Sequence, residues 1–321
     1  MNIGILGSGA IAHTMADTVA GIENAVLYAV ASRDIAKAKK FAEEKRAEKY
    51  YGSYEELASD SSIDLIYIAT PHSRHYEDCM LCLEHGRNVL CEKAFTANAD
   101  QARKVLEYAE GKGLLVTEAI WTRYMPMRTV LDEIINSNVI GNISALTANL
   151  GYSMSHVQRL KTPELAGGAL LDVGVYTINF ALMAFGNDIS DIKSQCVKNE
   201  YGVDANNSII ITFKDGKVAM LHSNMCAATD RLAIIYGDKG RIEFNNINNC
   251  EGITVIMNDG SRTEYKTPPQ ITGYEYEVIS AMKAISENKT ECPEMPHSDT
   301  LRVMDIMDSL RKEWGIIYPF E

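Results

Sequence analysis

The N-terminal residues 7–12 carry a glycine pattern suited to binding a diphosphate. They read Gly-Ser-Gly-Ala-Ile-Ala, directly after the apolar run 2–6 and directly before a helical segment. Glycines at this spacing allow a tight turn and let phosphate approach the backbone, while the helix N-terminus offers free N–H groups to the negative charge. The pattern therefore predicts a dinucleotide site, with a glycine-rich turn as the alternative. The predicted phosphate-binding residues are Gly7, Ser8, Gly9, Ala10, Ile11 and Ala12.

The end of the second apolar run bears on the choice of cofactor. An acidic residue about 20 positions after the glycines would bond the ribose hydroxyls of NAD. This chain has Ser32 there, followed by Arg33 and Asp34. A hydroxyl beside a guanidinium suits a 2′-phosphate, so we predict NADP, with NAD as the alternative. The competing interpretation is that Arg33 is a solvated surface residue and Asp34 only caps the next helix.

Asp172 and Tyr176 form a polar pair four residues apart on an otherwise apolar helix, 169–185. Such a pair shares a helix face, and a buried Asp needs a partner, which a ligand hydroxyl or a lysine would supply. Oxidation of an alcohol needs a base for the hydroxyl proton, and a tyrosine beside a lysine suits that role. The alternative is that Asp172 caps the helix and Tyr176 lies in the core.

The pattern of apolar runs indicates the elements that position these residues. Up to about residue 120, short continuous apolar runs alternate with helical segments, which is typical of a parallel sheet covered on both faces. Several β-rich runs separated by turn signals then follow between residues 189 and 266. We predict an α/β protein: a Rossmann doubly wound parallel sheet over residues 1–120, and an α/β domain with a large, mostly antiparallel open sheet over residues 121–321.

Composition excludes several classes of protein. Lys and Arg number 31 against 43 Asp and Glu, a net charge of -12, which disfavours nucleic-acid binding. No apolar run approaches the roughly 18 residues of a membrane span, and the N-terminus does not resemble a signal peptide. Seven scattered cysteines without an export signal indicate free thiols and a cytoplasmic location. The histidines show no metal-ligand spacing, so no metal is expected.

Three further motifs carry a family resemblance. They are residues 69–75 (Ala-Thr-Pro-His-Ser-Arg-His), 89–94 (Val-Leu-Cys-Glu-Lys-Ala) and 167–176 (Gly-Gly-Ala-Leu-Leu-Asp-Val-Gly-Val-Tyr). With the N-terminal loop they resemble, in order and over essentially the whole chain, the glucose–fructose oxidoreductase, inositol dehydrogenase and rhizopine-catabolism (GFO/IDH/MocA) family. Residues 118–126 and 167–172 look most like its dimeric dihydrodiol dehydrogenase branch, whose bacterial relatives include NADP-dependent aldose and anhydro-sugar oxidoreductases.

The resemblance implies hydride transfer between the nicotinamide and a carbinol carbon of a sugar, polyol or trans-dihydrodiol. Lys93 matches the family lysine that binds the substrate hydroxyl, and Asp172 and Tyr176 match the other two polar catalytic positions. Either Lys93 or Tyr176 donates the proton. The implied assembly is a homodimer through the C-terminal sheet. The family match also places these residues on the cofactor side: Thr70, Pro71, His75, Glu92 and Lys93.

Ala94 stands where the family has proline after the lysine. Because a cis Lys–Ala bond costs about 3–4 kcal/mol, we expect a trans bond there. A non-catalytic NAD(P)-binding sensor of the same fold is therefore the alternative function.

Residues beyond the fifth strand are candidates for substrate binding, because ligands bind at that edge of open sheets. Trp121 has interdomain packing as its alternative role, and Arg123 or Arg159 could anchor substrate hydroxyls. The predicted substrate residues are Trp121, Arg123, Tyr124 and Arg159.

Overall fold

The computed structural model describes all 321 residues, which divide into two compact units. The first unit comprises residues 1–124 and 270–304, and the second comprises residues 125–269 and 305–321. The predicted division at residue 120 differs from these units for residues 270–304, which pack with the first unit although they follow the second sheet in the chain. A change of pattern along the sequence marks where one sheet ends, but it does not indicate where a later segment packs.

The first unit is built on six parallel strands, in the order β3-β2-β1-β4-β5-β6. The predicted doubly wound parallel sheet is confirmed, and its strand order reverses beside β1, where such sheets bind ligands. The strands are β1 (Asn2–Leu6), β2 (Val26–Ala31), β3 (Lys49–Tyr51), β4 (Leu65–Ile68), β5 (Asn88–Glu92) and β6 (Val116–Ala119). The helices are α1 (Ala10–Ala20), α2 (Ile35–Lys45), α3 (Tyr54–Ser59), α4 (His75–Glu84), α5 (Ala99–Lys112) and α9 (Glu275–Ser286), and the unit boundary falls within α10 (His297–Trp314).

Local sequence explains why these elements form where they do. The central strands are buried on both faces, so each is a continuous apolar run; Ile5, Val30 and Ile66 are all inaccessible to solvent. The predicted helix cap at Asp34 is confirmed, since its carboxylate accepts the N–H groups of Ala36 and Lys37 at the start of α2.

The second unit is built on eight strands, in the order β14-β13-β12-β11-β7-β10-β9-β8. Only β7 and β10 pair in parallel, which confirms the predicted mostly antiparallel sheet. The strands are β7 (Ile143–Gly151), β8 (Ile189–Lys198), β9 (Asp204–Phe213), β10 (Val218–Asn224), β11 (Ala233–Gly237), β12 (Gly240–Asn245), β13 (Gly252–Met257) and β14 (Arg262–Lys266). The helices are α6 (Pro126–Asn136), α7 (Gln158–Lys161) and α8 (Val175–Phe185), with a π-helical turn at Leu170–Gly174 before α8.

One apolar stretch of this unit, Pro163–Phe185, is long and apolar enough to span a membrane by length and composition. This differs from the expectation that no run would approach that length. The reason lies in its position, because 89% of its most apolar window is buried inside the protein, where a core helix is apolar all round.

The other face of the eight-stranded sheet carries apolar side chains that remain partly exposed. Met220 pairs with Ile210 on one side and with Thr147 on the other, and Thr147 pairs with Ile234. Ile210 is 46% exposed and Met220 43%. Ile210, Met220, Thr147 and Ile234 thus lie side by side on four adjacent strands, and we call these four residues the outer stripe.

Candidate active site

The loop after β1 has the geometry of a phosphate cradle. Gly7 adopts φ +114°, and a Cβ there would lie 2.8 Å from the carbonyl oxygen of Ala69, so only glycine fits. Gly9 caps α1 without any side-chain bond, and a Cβ on it would point into open space. Ser8 Oγ lies 3.3 Å from Ser32 Oγ, at the end of β2. The N-terminus of α1 thus faces a space that its own side chains leave open, as a diphosphate site requires.

Arginine side chains gather beyond the end of β2. Arg33 is exposed and hydrogen-bonds the hydroxyl of Tyr54, whose pKa burial raises. Arg74 acts on the same phenol electrostatically, and both cations oppose the rise of its pKa. A salt bridge of 2.9 Å holds Arg74 to the fully buried Asp78. Sequence reasoning missed Tyr54, Arg74 and Asp78, because none of them belongs to the glycine motif.

The loop after β4 is fixed from both sides. Thr70 Oγ1 donates to Asp78 Oδ2 at 2.7 Å. His75 is fully buried, and its two ring nitrogens lie 2.8 Å from the carbonyl oxygen of Thr70 and 2.9 Å from that of Ala94. Burial lowers the pKa of His75, against its two carbonyl neighbours, and a neutral ring donates a hydrogen bond to only one of them. His75 therefore lies between the loop after β4 and the loop after β5, next to the backbone of both. The contact of Thr70, Pro71 and His75 with the cofactor stays a prediction.

Glu92 is the last residue of β5, and Lys93 begins the loop that follows. Tyr67 donates a short hydrogen bond to Glu92 Oε1, and the Lys93 N–H donates to Glu92 Oε2 at 3.2 Å. The Lys93–Ala94 peptide bond is cis, so the expectation of a trans bond is wrong. The next peptide bond, Ala94–Phe95, has a partner at each polar atom: the His75 ring lies 2.9 Å from the Ala94 oxygen, and the Phe95 N–H donates to Glu118 Oε1 at 3.1 Å.

Two further acids are buried near this loop. Burial, and after it the charge of Glu92, raises the pKa of the fully buried Glu277 on α9 well above its ordinary value. Burial also raises the pKa of Glu118 to about 7, against the N–H of Phe95 and the charge of Arg123. Both carboxyls belong to the interior of the first unit.

The three predicted substrate residues after β6 are packed inside the first unit. Trp121 stacks on Tyr274, with ring centroids 4.0 Å apart and planes 4° from parallel. Arg123 forms a 2.6 Å salt bridge with Asp299, and the Tyr124 hydroxyl donates to the backbone oxygen of Glu118. All three are less than 9% exposed, because residues 270–304 cover them from a distant part of the chain. Their contact with substrate stays a prediction.

In the second unit, the helix start that carries Asp172 differs from the regular α-helix expected. Leu170–Gly174 forms a π-helical turn, in which the Val175 N–H bonds the Leu170 oxygen. Such turns are frequent at functional sites, and this one changes the angle between Asp172 and Tyr176 from that of a regular helix. Asp172 and Tyr176 are 3% and 6% exposed.

Asp172 has the partner that its burial requires. Arg159 Nη1 lies 3.0 Å from Asp172 Oδ1, with the arginine side chain 45% exposed and the carboxylate 4% exposed. The expected partner was a lysine or a ligand hydroxyl, and Arg159 was expected to hold substrate. The salt bridge gives Arg159 a second role, because a buried carboxylate keeps its charge most easily beside a cation.

Asp204 also contributes to this helix start, and sequence reasoning missed it because no motif includes it. Its Oδ2 accepts the Leu170 N–H at 2.8 Å and the Asn207 side chain at 2.8 Å. Burial raises the pKa of Asp204 to about 6, against these two bonds.

Comparisons with known proteins agree with this geometry. A model of the GFO/IDH/MocA oxidoreductase family, NAD-binding Rossmann fold, matches residues 1–120, and the GFO/IDH/MocA C-terminal domain matches residues 129–243. The chain is 33% identical to a trans-1,2-dihydrobenzene-1,2-diol dehydrogenase of Xenopus laevis, covering 98% of both chains. It is 32% identical to the Homo sapiens protein of that name, covering 91% of this chain and 89% of the relative.

Solved structures share the fold. A 3-ketoreductase from Actinomadura kijaniata, in complex with NADP and TDP-benzene, superimposes with a TM-score of 0.88 at 24% identity, covering 97% of each chain. A levoglucosan dehydrogenase in complex with NADH and levoglucosan gives 0.87 at 19% identity, covering 98% of this chain and 97% of that one.

Proposed function

Because the chain belongs to the GFO/IDH/MocA oxidoreductase family, we propose that it is an NADP(H)-dependent oxidoreductase acting on a carbinol carbon of a sugar, polyol or trans-dihydrodiol. The observation that carries the proposal is the open cradle at Gly9, which meets the uncapped N-terminus of α1. A dinucleotide fits it, because the backbone there is free of side chains and presents helix N–H groups to negative charge.

The preference for NADP rests on cations beyond β2. Ser32 and Arg33 follow the strand where an acid would favour NAD. A 2′-phosphate would accept bonds from the Ser32 hydroxyl and the Arg33 guanidinium, and Arg74 adds a second positive charge to the surroundings of Tyr54. An unphosphorylated ribose would gain much less from two cations.

The chain's residues handle the proton, while the bound cofactor exchanges a hydride with the carbinol carbon. Lys93 would bind the substrate hydroxyl and stabilise the developing alkoxide by charge. Tyr176 would exchange the proton with that oxygen, with Lys93 as the alternative donor. Asp172 would help to orient the substrate, and its carboxylate Oδ1 lies 3.0 Å from Arg159 Nη1.

The substrate class follows from the relatives. The curated relatives are dehydrogenases named for a trans-dihydrodiol, and a structural neighbour is named for an anhydro-sugar, levoglucosan. Both compounds present a secondary hydroxyl with a neighbouring oxygen. We propose the same class here and no single compound within it.

We also propose a homodimer through the outer stripe and a cytoplasmic location. Large side chains such as Ile210 and Met220 are rarely left exposed together on an open sheet, and a second copy would cover them. Light scattering of wild type and of Met220→Lys tests this; a wild-type monomer would contradict it. The seven free cysteines support a reducing compartment.

The test of function is NADP⁺ reduction with a panel of aldoses, polyols, anhydro-sugars and trans-dihydrodiols, with NAD⁺ in parallel. Lys93→Ala should lose turnover and still bind NADPH, which fluorescence titration measures. Lys104→Ala, at an exposed lysine on α5 of the same unit, is the matched control. Turnover that survives in Lys93→Ala would contradict the catalytic role of the lysine. Tight NADPH binding by wild type without turnover on any class would favour the sensor.

A further inference from the structure

The helix start that carries Asp172 does not cap itself. The residue before the π-helical turn, Ala169, makes no side-chain capping bond. The carboxylate of Asp204, at the start of β9, takes this place and accepts the Leu170 N–H at 2.8 Å. Asp204 is 2% exposed, and Asn207 bonds the same carboxylate oxygen. A residue 34 positions further along the chain therefore caps this helix.

Gly168, which comes just before the turn, lies close to the same carboxylate. Gly168 has φ +120°, and a Cβ there would lie 2.3 Å from Asp204 Oδ1. The backbone and the carboxylate thus meet without room for a side chain. The Asp204 carboxylate therefore occupies the space that a side chain at Gly168 would need, and the Leu170 N–H bonds it there.

A second remote contact holds the residue before it. Tyr318 is 1% exposed, and its hydroxyl donates to the Gly167 oxygen at 3.0 Å. The Arg311 guanidinium lies 4.3 Å from the centre of the Tyr318 ring and bonds both carboxylate oxygens of Glu321, at 2.7 and 3.0 Å. The Tyr318 N–H also donates to Glu321. These contacts fix the tyrosine in place.

The two glycines also connect the turn to the segment of Arg159. The Gly168 N–H donates to the Leu160 oxygen and the Gly167 N–H to the Thr162 oxygen, each at 3.0 Å. The contacts that hold these two glycines therefore set the positions of both partners of the Arg159–Asp172 salt bridge.

We propose that Asp204 and Tyr318 are positioning residues, which hold the Gly167–Gly168 turn and through it the Asp172–Arg159 pair. The consequence for turnover rests on the proposed function. The consequence for the backbone of residues 167–176 does not, and it can be measured without substrate.

The experiment compares Tyr318→Phe, Asp204→Asn and Asp204→Ala with wild type. Thr267→Val is the matched control, because Thr267 also donates a hydroxyl bond to a backbone oxygen, that of Cys250, in the same unit. Hydrogen exchange followed by mass spectrometry reports the backbone of residues 167–176. Steady-state kinetics give KM and kcat, with kcat expressed per NADPH-binding site so that any unfolded fraction is removed.

Tyr318→Phe should speed hydrogen exchange at residues 167–176 by about five- to tenfold. It should lower kcat by about the same factor, which is the equivalent of one hydrogen bond. Asp204→Ala should have the larger effect, and Asp204→Asn should recover part of it, because an amide oxygen still accepts the Leu170 N–H. The NADPH dissociation constant should stay within about twofold, since the loop at Gly9 makes none of these contacts.

Unchanged exchange at 167–176 in Tyr318→Phe would overturn the inference, and this variant keeps the test open if Asp204→Ala does not fold. Faster exchange with unchanged kcat in an active enzyme would overturn the catalytic consequence. An inactive wild type would count against the proposed function alone, because the exchange result still tests whether Asp204 and Tyr318 hold the turn.

Discussion

The edge of the first sheet and the start of the helix that carries Asp172 and Tyr176 are held by different kinds of contact. At the sheet edge, Asp78 bonds Thr70 and Arg74, which lie eight and four positions away in the chain. At the helix start, the corresponding bonds span 34 positions to Asp204 and 151 positions to Tyr318. Both regions also have contacts of intermediate span, such as that between His75 and Ala94, but the longest ones hold the helix start.

This difference affects how each region responds to change. A region fixed by local bonds keeps its shape when a residue facing the ligand is replaced, so binding changes and the fold does not. A region fixed from a distance transmits changes made far from the reacting atoms. The predictions below test the two cases, beginning with the largest effect.

Tyr176→Phe should lower kcat by about a thousandfold, within the range for loss of a general acid or base. The change removes the phenolic hydroxyl and keeps the buried aromatic ring on α8. Steady-state kinetics and NADPH titration measure it, with Tyr265→Phe on the exposed strand β14 as the control. A fall of less than about tenfold would assign proton transfer to Lys93 instead.

Asp204→Asn should change the pH dependence of stability. Burial raises the folded-state pKa of Asp204 from 3.8 to about 6, so between these values the folded state holds more protons than the unfolded state. Wild type should therefore lose about 2 kcal/mol of unfolding free energy relative to the variant as the pH rises from about 4 to about 6, and a few tenths of a kcal/mol more by about pH 8.

Urea denaturation at steps from pH 4 to pH 8 measures the difference between the two proteins. Asp188→Asn, which removes an exposed carboxyl of the same unit, is the control. A difference between wild type and Asp204→Asn that does not vary with pH would show that Asp204 is not buried as a titrating acid.

The sequence was informative wherever local spacing determines the structure. The Gly7–Gly9 loop, the Asp34 cap and both sheets follow from turn chemistry and from the period of the apolar residues, which act over a few positions. For the same reason the parallel direction of the first sheet's strands could be anticipated from the helices between them.

What sequence reasoning missed depends on contacts between distant residues. Asp204 lies at the start of an ordinary strand and Tyr318 follows a helix, so neither differs by pattern from a surface residue. The π-helical turn depends on the packing around it. The burial of Arg123 depends on residues 270–304, which cover it from a distant part of the chain. The cis bond after Lys93 was also missed, because the expectation considered only the intrinsic cost of a cis bond without proline.

Gly9→Val should weaken NADPH binding by at least about a hundredfold, or about 2.7 kcal/mol. The backbone at Gly9 is extended, with φ −81° and ψ −177°, and tolerates valine, so the added carbons enter only the space left for the ligand. Fluorescence titration measures NADPH binding, and thermal melting measures stability. Gly111→Ala, which also adds carbon to open space, should leave binding unchanged; equal losses in both variants would contradict the cradle.

Arg33→Ala should weaken NADP⁺ binding by about 10- to 30-fold, as expected for loss of one bond to a charged phosphate, and leave NAD⁺ binding within about twofold. Arg74→Ala should have a smaller effect, because its guanidinium is already paired with Asp78 and so offers less charge to a ligand. Competition by 2′-AMP against 5′-AMP separates phosphate recognition from adenine contact. Equal weakening of both nucleotides would mean that Arg33 stacks on the adenine ring, and the local region would then select the base and not the phosphate.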